Sequence, residues 1–364
     1  MGIQARSNAN ATTAANATAP GEPVAGAVAG GRSRRSLLRR KRGKQAARRT
    51  AGRTGRLRRA LLAALVVGAV VVPVSAAARP RIPAPAPAVL APVTASTLEG
   101  AYAANRANAA EAARMAAAHG DRSRAAADRA MAVPSRHFLS FDGRDAGQAV
   151  EVLGDLAHAD RVAVLVPGSD TSLDTYNRFR AGALALHHRL GAHTAVVAWL
   201  GYETPGTVST TVLTAGRAED AAPRLRAFVR ELRGVVGQSA HISLLCHSYG
   251  TVVCGRAAHG LDVDDIALVG SPGTGADSAA ALHTSARVWA ARGADDWVAD
   301  VPHVRAEVFG TTVGFGTDPV SRDFGARVFA AGDGGHSDYF TPGSVSLDNL
   351  ARITLGDTSE VTHA

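Results

Sequence analysis

Short apolar runs alternate with amphipathic segments along this chain from about residue 136 onward. The apolar runs are rich in Val, Ile, Leu and Ala and lack a polar face, as expected of strands that are buried on both sides. Between them, apolar residues recur at helical spacing, and Leu225, Val229 and Leu232 fall on one face of such a helix. Strands that alternate with helices in this way predict a parallel sheet covered on both faces.

The pattern predicts strands over residues 137–142, 162–166, 195–200, 242–245, 266–269, 288–290 and 326–330. It predicts helices over residues 146–157, 173–190, 218–235, 251–258 and 345–353. About 230 residues are enough for one domain with a full core. We therefore predict a single α/β domain over residues 134–358.

A serine stands at one of the predicted strand-to-helix corners, in the sequence CHSYG at residues 246–250. Ser248 at such a corner is typical of the nucleophile elbow of the α/β-hydrolase fold, in which a sharp turn lifts the hydroxyl above the sheet edge. Small residues must flank this serine. Gly250 meets that need, but Cys246 stands where glycine is usual. The alternative interpretation is an ordinary strand–turn–helix with a buried serine.

A serine hydroxyl needs a base before it can act as a nucleophile at neutral pH. In α/β-hydrolases the acid and then the histidine follow the serine along the chain, on loops after later strands. His336 directly follows the last predicted strand, and Gly334 and Gly335 before it permit a sharp loop. We therefore predict that His336 is the base.

The acid of such a site is expected on the loop after the preceding strand. Asp296 lies there, and its spacing from Gly293 resembles the pattern G-x-x-D-x-V. Asp295 and Asp318 remain alternatives, because any of these aspartates could instead cap a turn. The acid would hold the imidazole in its productive tautomer.

Two N–H groups are needed to stabilise the oxyanion that forms in acyl transfer. One is expected from Tyr249, the residue after the nucleophile. The other is expected from Gly168 or Ser169, which follow the strand over 162–166.

The positive charge of the chain is confined to its start. Residues 1–78 hold fifteen Lys or Arg and one acid, Glu22, so they carry +14; the whole chain carries +9, which leaves −5 for residues 79–364. A nucleic-acid-binding fold would need a basic face. We therefore predict no nucleic-acid partner for the folded part.

An uncharged apolar run at residues 60–78 follows the basic stretch. Its length suits a transmembrane anchor or a signal segment. Because basic flanks stay in the cytoplasm, we predict a cell-membrane protein with an extracellular catalytic domain, or a secreted one. Residues 1–59 are predicted to be disordered and basic, residues 79–95 a Pro/Ala-rich linker, and residues 96–133 an Ala-rich helical segment. The sequence leaves open whether that segment packs on the domain or forms a stalk.

Cys246 and Cys254 are the two cysteines of the chain. Packed helix and strand axes lie about 10 Å apart, which exceeds the usual Cα separation for a disulfide, of up to about 7 Å. This favours two buried free thiols over a disulfide.

Several stretches resemble the actinobacterial α/β-hydrolase family DUF1023. They are residues 149–157, 164–171, 197–202, 246–250, 316–321 and 335–340. The resemblance covers roughly residues 136–356. It implies a hydrolase fold, a Ser-His-Asp site and tolerance of cysteine at position 246, but it implies no substrate.

These observations predict a serine hydrolase that cleaves an ester or amide through an acyl-enzyme at Ser248. The prediction includes no metal and no organic cofactor. The competing hypothesis is a membrane-tethered binding module that keeps the fold without turnover.

The connection at residues 270–286 is too short for a large cap domain, so we expect an open site for sizeable substrates. We expect the loops at residues 201–216 and 299–325 to wall the cleft and to bring Tyr202 and Phe315 to it.

Overall fold

The structure, a computed structural model, describes residues 82–364 except residues 302, 304–305 and 309–310. The predicted basic leader (1–59) and the predicted apolar segment (60–78) therefore lie outside the described residues. Within the part that is described, no helix is both long enough and apolar enough to cross a membrane.

The strands are β1 (His137–Asp142), β2 (Gln148–Gly154), β3 (Arg161–Val166), β4 (Thr194–Leu200), β5 (His241–His247), β6 (Asp265–Val269), β7 (Arg287–Ala291), β8 (Ala306–Val308), β9 (Thr311–Val313) and β10 (Arg327–Val328). The helices are α1 (Leu98–His119), α2 (Arg122–Met131), α3 (Tyr176–Leu190), α4 (Gly216–Val236), α5 (Gly250–Ala257) and α6 (Val345–Leu355).

Eight of the strands form one sheet in the order β1-β2-β4-β3-β5-β6-β7-β10, and β8 and β9 form a separate hairpin. Strand β2 is antiparallel to β1 and β4, and the other neighbouring strands of the sheet are parallel. The predicted mostly parallel sheet is therefore confirmed. Its parallel strands all end at one edge, which is where the loops after β3, β5, β7 and β10 meet.

Side chains that alternate along each strand divide the core into two layers. On β3, Val162 and Val164 face one layer, which also contains apolar side chains of α4 and α5. Ala163 and Leu165 face the other layer, which contains side chains of α3 and α6. Helices therefore cover both faces, which explains why the central strands read as continuous apolar runs.

The helix predicted over residues 146–157 is wrong, because this segment forms strand β2. It pairs with β1 on one side and β4 on the other. In the sequence, Glu151 places a charge within the apolar run, which resembles a helical period. In the structure, the buried Glu151 carboxylate accepts hydrogen bonds from Arg136 at 2.8 and 2.6 Å and from Arg180 at 2.8 Å. Ion pairing from neighbouring elements thus allows a charged residue within a strand that is otherwise apolar.

The Ala-rich helical segment packs against the sheet. Helix α1 ends at Gly120, whose φ of 94° is left-handed, and the Asp121 side chain then caps α2 by accepting a hydrogen bond from the Arg124 N–H at 2.9 Å. The Asn105 amide of α1 donates to the carbonyls of Phe138 and Leu139 on β1 at 2.9 and 3.0 Å. These contacts show that the segment packs on the domain and does not form a stalk, the two arrangements that the sequence left open.

A disulfide joins Cys246 at the end of β5 to Cys254 in α5, with a Cα–Cα distance of 6.5 Å. The prediction of two free thiols was therefore wrong. It used the spacing of packed axes, but Cys254 lies close to the corner where the helix leaves the strand. At the same corner Gly250 lets the start of α5 lie against the end of β3, since a Cβ at that position would lie 2.5 Å from the Val166 carbonyl oxygen.

We expect reduction of this disulfide to lower the free energy of unfolding by about 2–3 kcal/mol, because the bond closes only a short loop. Urea unfolding of the full chain with and without a reductant measures the difference. A Cys246→Ala/Cys254→Ala double variant is the control and should not respond to reductant. An unchanged midpoint for the reduced wild type would contradict the expectation.

Candidate active site

Ser248 occupies the corner between β5 and α5 with a φ of 54°, in the left-handed region that residues other than glycine seldom adopt. Its own N–H donates to the Val269 carbonyl at 3.0 Å, and the Thr251 hydroxyl donates to the Ser248 carbonyl at 2.7 Å. Gly168 fits closely against it, because a Cβ there would lie 2.6 Å from the Ser248 Cβ. The surrounding backbone thus holds the serine in this conformation.

The structure brings His336 and Asp296 to this serine. His336 Nε2 lies 2.8 Å from Ser248 Oγ, and His336 Nδ1 lies 2.9 Å from Asp296 Oδ1. The loops that carry the two residues touch, since a Cβ on Gly293 would fall on the carbonyl oxygen of Gly334. Glycine at position 293 is therefore needed for the acid to reach the imidazole.

Tyr339 holds the second oxygen of the Asp296 carboxylate. Its hydroxyl donates to Asp296 Oδ2 at 2.5 Å and accepts a hydrogen bond from the Gly293 N–H at 3.0 Å. Burial acts to raise the pKa of Asp296, but hydrogen bonds from His336, Tyr339 and the Val298 N–H outweigh it, so this pKa lies below its ordinary value. The carboxylate therefore stays ionised at neutral pH.

Burial, and then the Asp296 carboxylate, raise the pKa of Tyr339 well above its ordinary value. The phenol therefore keeps its proton and remains a donor to Asp296. The sequence predicted no role for Tyr339, although this residue lies in one of the stretches that resemble DUF1023, residues 335–340. Its position three residues after His336 is the only sequence signal that could have suggested one.

The two alternative acids lie elsewhere. Asp295 is exposed beside Asp296. Asp318 forms an ion pair with Arg292 at 2.5 Å and accepts a hydrogen bond from the Val320 N–H at 3.1 Å. Of the three candidates, Asp296 is the one that the structure brings to His336.

His247 is a second histidine of the site that sequence reasoning did not single out. Its Nε2–H donates to the backbone carbonyl of His336 at 2.7 Å, and the two rings lie 4.8 Å apart between centroids. Burial, and then the neighbouring His336, lower the pKa of His247 to about 4. The ring is therefore neutral near pH 7 and anchors the loop that carries His336.

The predicted oxyanion donors flank Ser248. Tyr249 begins the turn into α5, and its buried ring is fixed by a hydrogen bond of 2.7 Å from its hydroxyl to the Thr214 carbonyl. Gly168 and Ser169 lie in the loop after β3, where Gly168 packs against Ser248. The Ser169 hydroxyl is buried and finds no hydrogen-bond partner within the described part of the chain.

Ser248 and His336 open onto a cleft of about 570 Å³. Arg178, Phe179 and other residues at the start of α3 line one side of it, and Phe340 and its neighbours after His336 line another. Thr207 of the loop over 201–216 also reaches the cleft. The connection at 270–286 contains only a short 3₁₀ helix, Ala280–Leu282.

Tyr202 and Phe315 do not line this cleft, contrary to expectation. Both are buried, at 2% and 5% exposure. The Tyr202 hydroxyl donates to the Pro167 carbonyl at 2.6 Å and so supports the loop after β3 from beneath. Phe315 packs edge-on against the Tyr249 ring, with 5.7 Å between centroids. Their apolar rings are better buried against the core than exposed at the cleft.

Residues 142–306 match the model of a family described as "Alpha/beta hydrolase". The chain has the α/β-hydrolase fold. The matched range contains Ser248 and Asp296 and ends before His336. The described residues of the chain include no group of three or more His, Cys, Asp or Glu side chains that could hold a metal ion.

Proteins similar to this chain occur in mycobacteria. An uncharacterized protein of Mycobacterium tuberculosis is 29% identical over 261 residues, which cover 60% of this chain and 38% of the relative. An uncharacterized protein of Mycobacterium bovis is 35% identical over 136 residues, which cover 34% of this chain and 51% of the relative. The chain thus spans about half or less of the length of these relatives.

Solved structures with some likeness include two hydrolases. One is a serine hydrolase without a lid from Xanthomonas campestris, with 16% identity and a TM-score of 0.38, covering 58% of this chain and 89% of that one. Another is esterase 2 of Thermogutta terrifontis, with 12% identity and a TM-score of 0.38, covering 62% of this chain and 92% of that one.

The low pKa of His247 makes stability depend on pH. The unfolded chain takes up a proton at this ring below about pH 6.5, whereas the folded protein does so only below about pH 4, so stability is lost as pH falls between these values. We expect the wild type to lose about 2 kcal/mol more free energy of unfolding than a His247→Gln variant between pH values near 7.5 and 4.5. Urea unfolding at both pH values measures this. Equal losses in the two proteins would contradict it.

Proposed function

We propose that this protein is a serine hydrolase with esterase-like activity, which cleaves an ester or amide through an acyl-enzyme. Ser248 is the nucleophile, His336 the general base and Asp296 the acid that orients it. The observation that carries this proposal is the continuous chain of hydrogen bonds from Asp296 through His336 to Ser248, with lengths of 2.9 and 2.8 Å. The contact between His336 and Ser248 suits direct proton transfer, and the contact between His336 and Asp296 holds the imidazole in its productive tautomer.

In the first half of the reaction, Ser248 Oγ attacks the carbonyl carbon while His336 Nε2 accepts the hydroxyl proton. The resulting oxyanion accepts hydrogen bonds from the backbone N–H groups of Tyr249 and of Ser169 or Gly168. When the tetrahedral intermediate collapses, His336 returns the proton to the leaving alcohol or amine. Asp296 stabilises the imidazolium throughout.

In the second half, a water molecule replaces the leaving group and attacks the acyl-enzyme. His336 accepts a proton from this water and then donates it to Ser248 Oγ, so that the acid product leaves and the serine is restored. Tyr339 keeps the Asp296 carboxylate in place through both halves. His247 does the same for the backbone of His336.

We further propose that the enzyme acts outside the cytoplasmic membrane and belongs to the DUF1023 family. The basic stretch followed by the apolar run at 60–78 supports export. The Cys246–Cys254 disulfide also supports it, because disulfides persist in oxidising compartments. The mycobacterial relatives support the family assignment.

A fluorophosphonate probe tests the nucleophile. We expect the full chain to be labelled and Ser248→Ala to abolish both labelling and turnover of a p-nitrophenyl ester, with a loss in kcat of at least about 10⁴-fold. His336→Ala should abolish labelling as well. Ser337→Ala is the matched control, because Ser337 lines the same cleft next to His336 and should leave labelling unchanged. A binding module without turnover would leave Ser248 unlabelled in folded protein.

We propose that the Ser169 hydroxyl is a further donor to the oxyanion, because Ser169 lines the cleft and its buried hydroxyl has no hydrogen-bond partner among the described residues. We expect Ser169→Ala to lower kcat about 10- to 100-fold with little change in KM, as for the loss of a donor to the oxyanion. Steady-state kinetics on a p-nitrophenyl ester measures both constants. A rise in KM with an unchanged kcat would show that this hydroxyl contacts only the bound substrate.

A further inference from the structure

Two charged side chains line the cleft beside Ser248, and they differ in whether they already have a hydrogen-bond partner. Among the described residues that line it, Arg178 and Asp170 are the ones with a Lys, Arg, Asp or Glu side chain. Both carboxylate oxygens of Asp170 accept a hydrogen bond from the Thr207 N–H, each at 3.1 Å. The exposed Arg178 guanidinium has neither a hydrogen bond nor an acid within 4.0 Å in the described part of the chain. Its N–H donors are therefore free to bind a ligand.

Apolar side chains accompany this cation along the cleft. Phe179 follows Arg178 on α3, and Phe340 lines the segment after His336. The two sides meet at Gly182, where a Cβ would lie 3.0 Å from the Phe340 Cβ. The cleft therefore joins three features in one space, namely a nucleophile, an apolar lining and an unpaired cation.

From this arrangement we infer that the preferred substrate is an amphipathic ester in which an apolar segment separates the scissile bond from an anionic carboxylate or phosphate group. Arg178 binds that anion and determines specificity. A guanidinium fits the two oxygens of such a group in a forked geometry. The inference rests on the proposed function, since it names the substrate class of the same site.

Chromogenic monoesters of dicarboxylic acids test this preference on the full chain. The substrates are p-nitrophenyl monoesters of adipic, suberic and sebacic acid, each compared with its neutral methyl-capped counterpart, with the Ser248→Ala protein as the background. We expect kcat/KM for the anionic member to exceed that of the neutral one by about 3- to 10-fold at the best chain length. The ratio should fall as salt is added, because Arg178 is exposed.

Arg178→Gln should lower kcat/KM for the anionic esters to that of their neutral counterparts, so that the ratio falls to about 1. Arg230→Gln is the matched control, because Arg230 is an exposed arginine on α4 that does not line the cleft, and its loss changes the net charge equally. A wild type that treats anionic and neutral esters alike at every length would overturn the inference. An anionic preference that survives in Arg178→Gln would overturn it too.

A binding measurement separates this inference from the proposed function. Trp297 lines the cleft, is 52% exposed and lies 4.6 Å from the His336 ring between centroids, so its fluorescence reports occupancy. In Ser248→Ala, monomethyl suberate should bind at least about threefold more tightly than dimethyl suberate, and Arg178→Gln should abolish the difference. If the neutral esters show no Ser248-dependent turnover, the proposed function fails and this titration alone decides the role of Arg178. Equal binding of both compounds would overturn that role.

Discussion

The close approach of helix α5 to the loop after β3 is the constraint on which the site depends. Gly250 and Gly168 both lie where a Cβ would collide with neighbouring atoms, at 2.5 Å from the Val166 carbonyl oxygen and 2.6 Å from the Ser248 Cβ. This proximity forces the left-handed backbone of Ser248, because the chain must reverse from strand to helix within two residues.

A second set of contacts fixes the loops at the carboxyl ends of β7 and β10. Gly293 and Gly334 let these loops touch, and Tyr339 ties them together by bonding both the Gly293 N–H and the Asp296 carboxylate. His247 links the serine strand to the histidine loop through the His336 carbonyl. The histidine is thus held through its ring and through its backbone, which reduces the number of orientations that it can adopt.

Much of this architecture follows from local sequence, and the exceptions have physical causes. The sequence could predict that Ser248, Asp296 and His336 lie near one another, because each follows a predicted strand and parallel strands end at one sheet edge, but it left Asp295 and Asp318 as alternatives to Asp296. Strand β2 could not be predicted from the sequence, because the partners of Glu151 are distant in sequence and a charge within an apolar run resembles a helical period. The disulfide was missed because the distance from β5 to α5 is shortest at the corner itself. Tyr202 and Tyr339 act through hydrogen bonds to loops, and such contacts leave no periodic signal.

The packing of α1 on β1 has a consequence for how the sheet avoids association with other chains. Strand β1 lies at one edge of the sheet, where exposed carbonyl and N–H groups can recruit a strand from another molecule. The register of β1 shifts between Phe138 and Ser140, and the Asn105 amide occupies carbonyls at this irregularity. Helix α1 therefore covers part of the sheet edge and hinders edge-to-edge aggregation. A chain shortened to the residues after 134 would lose α1 and this protection.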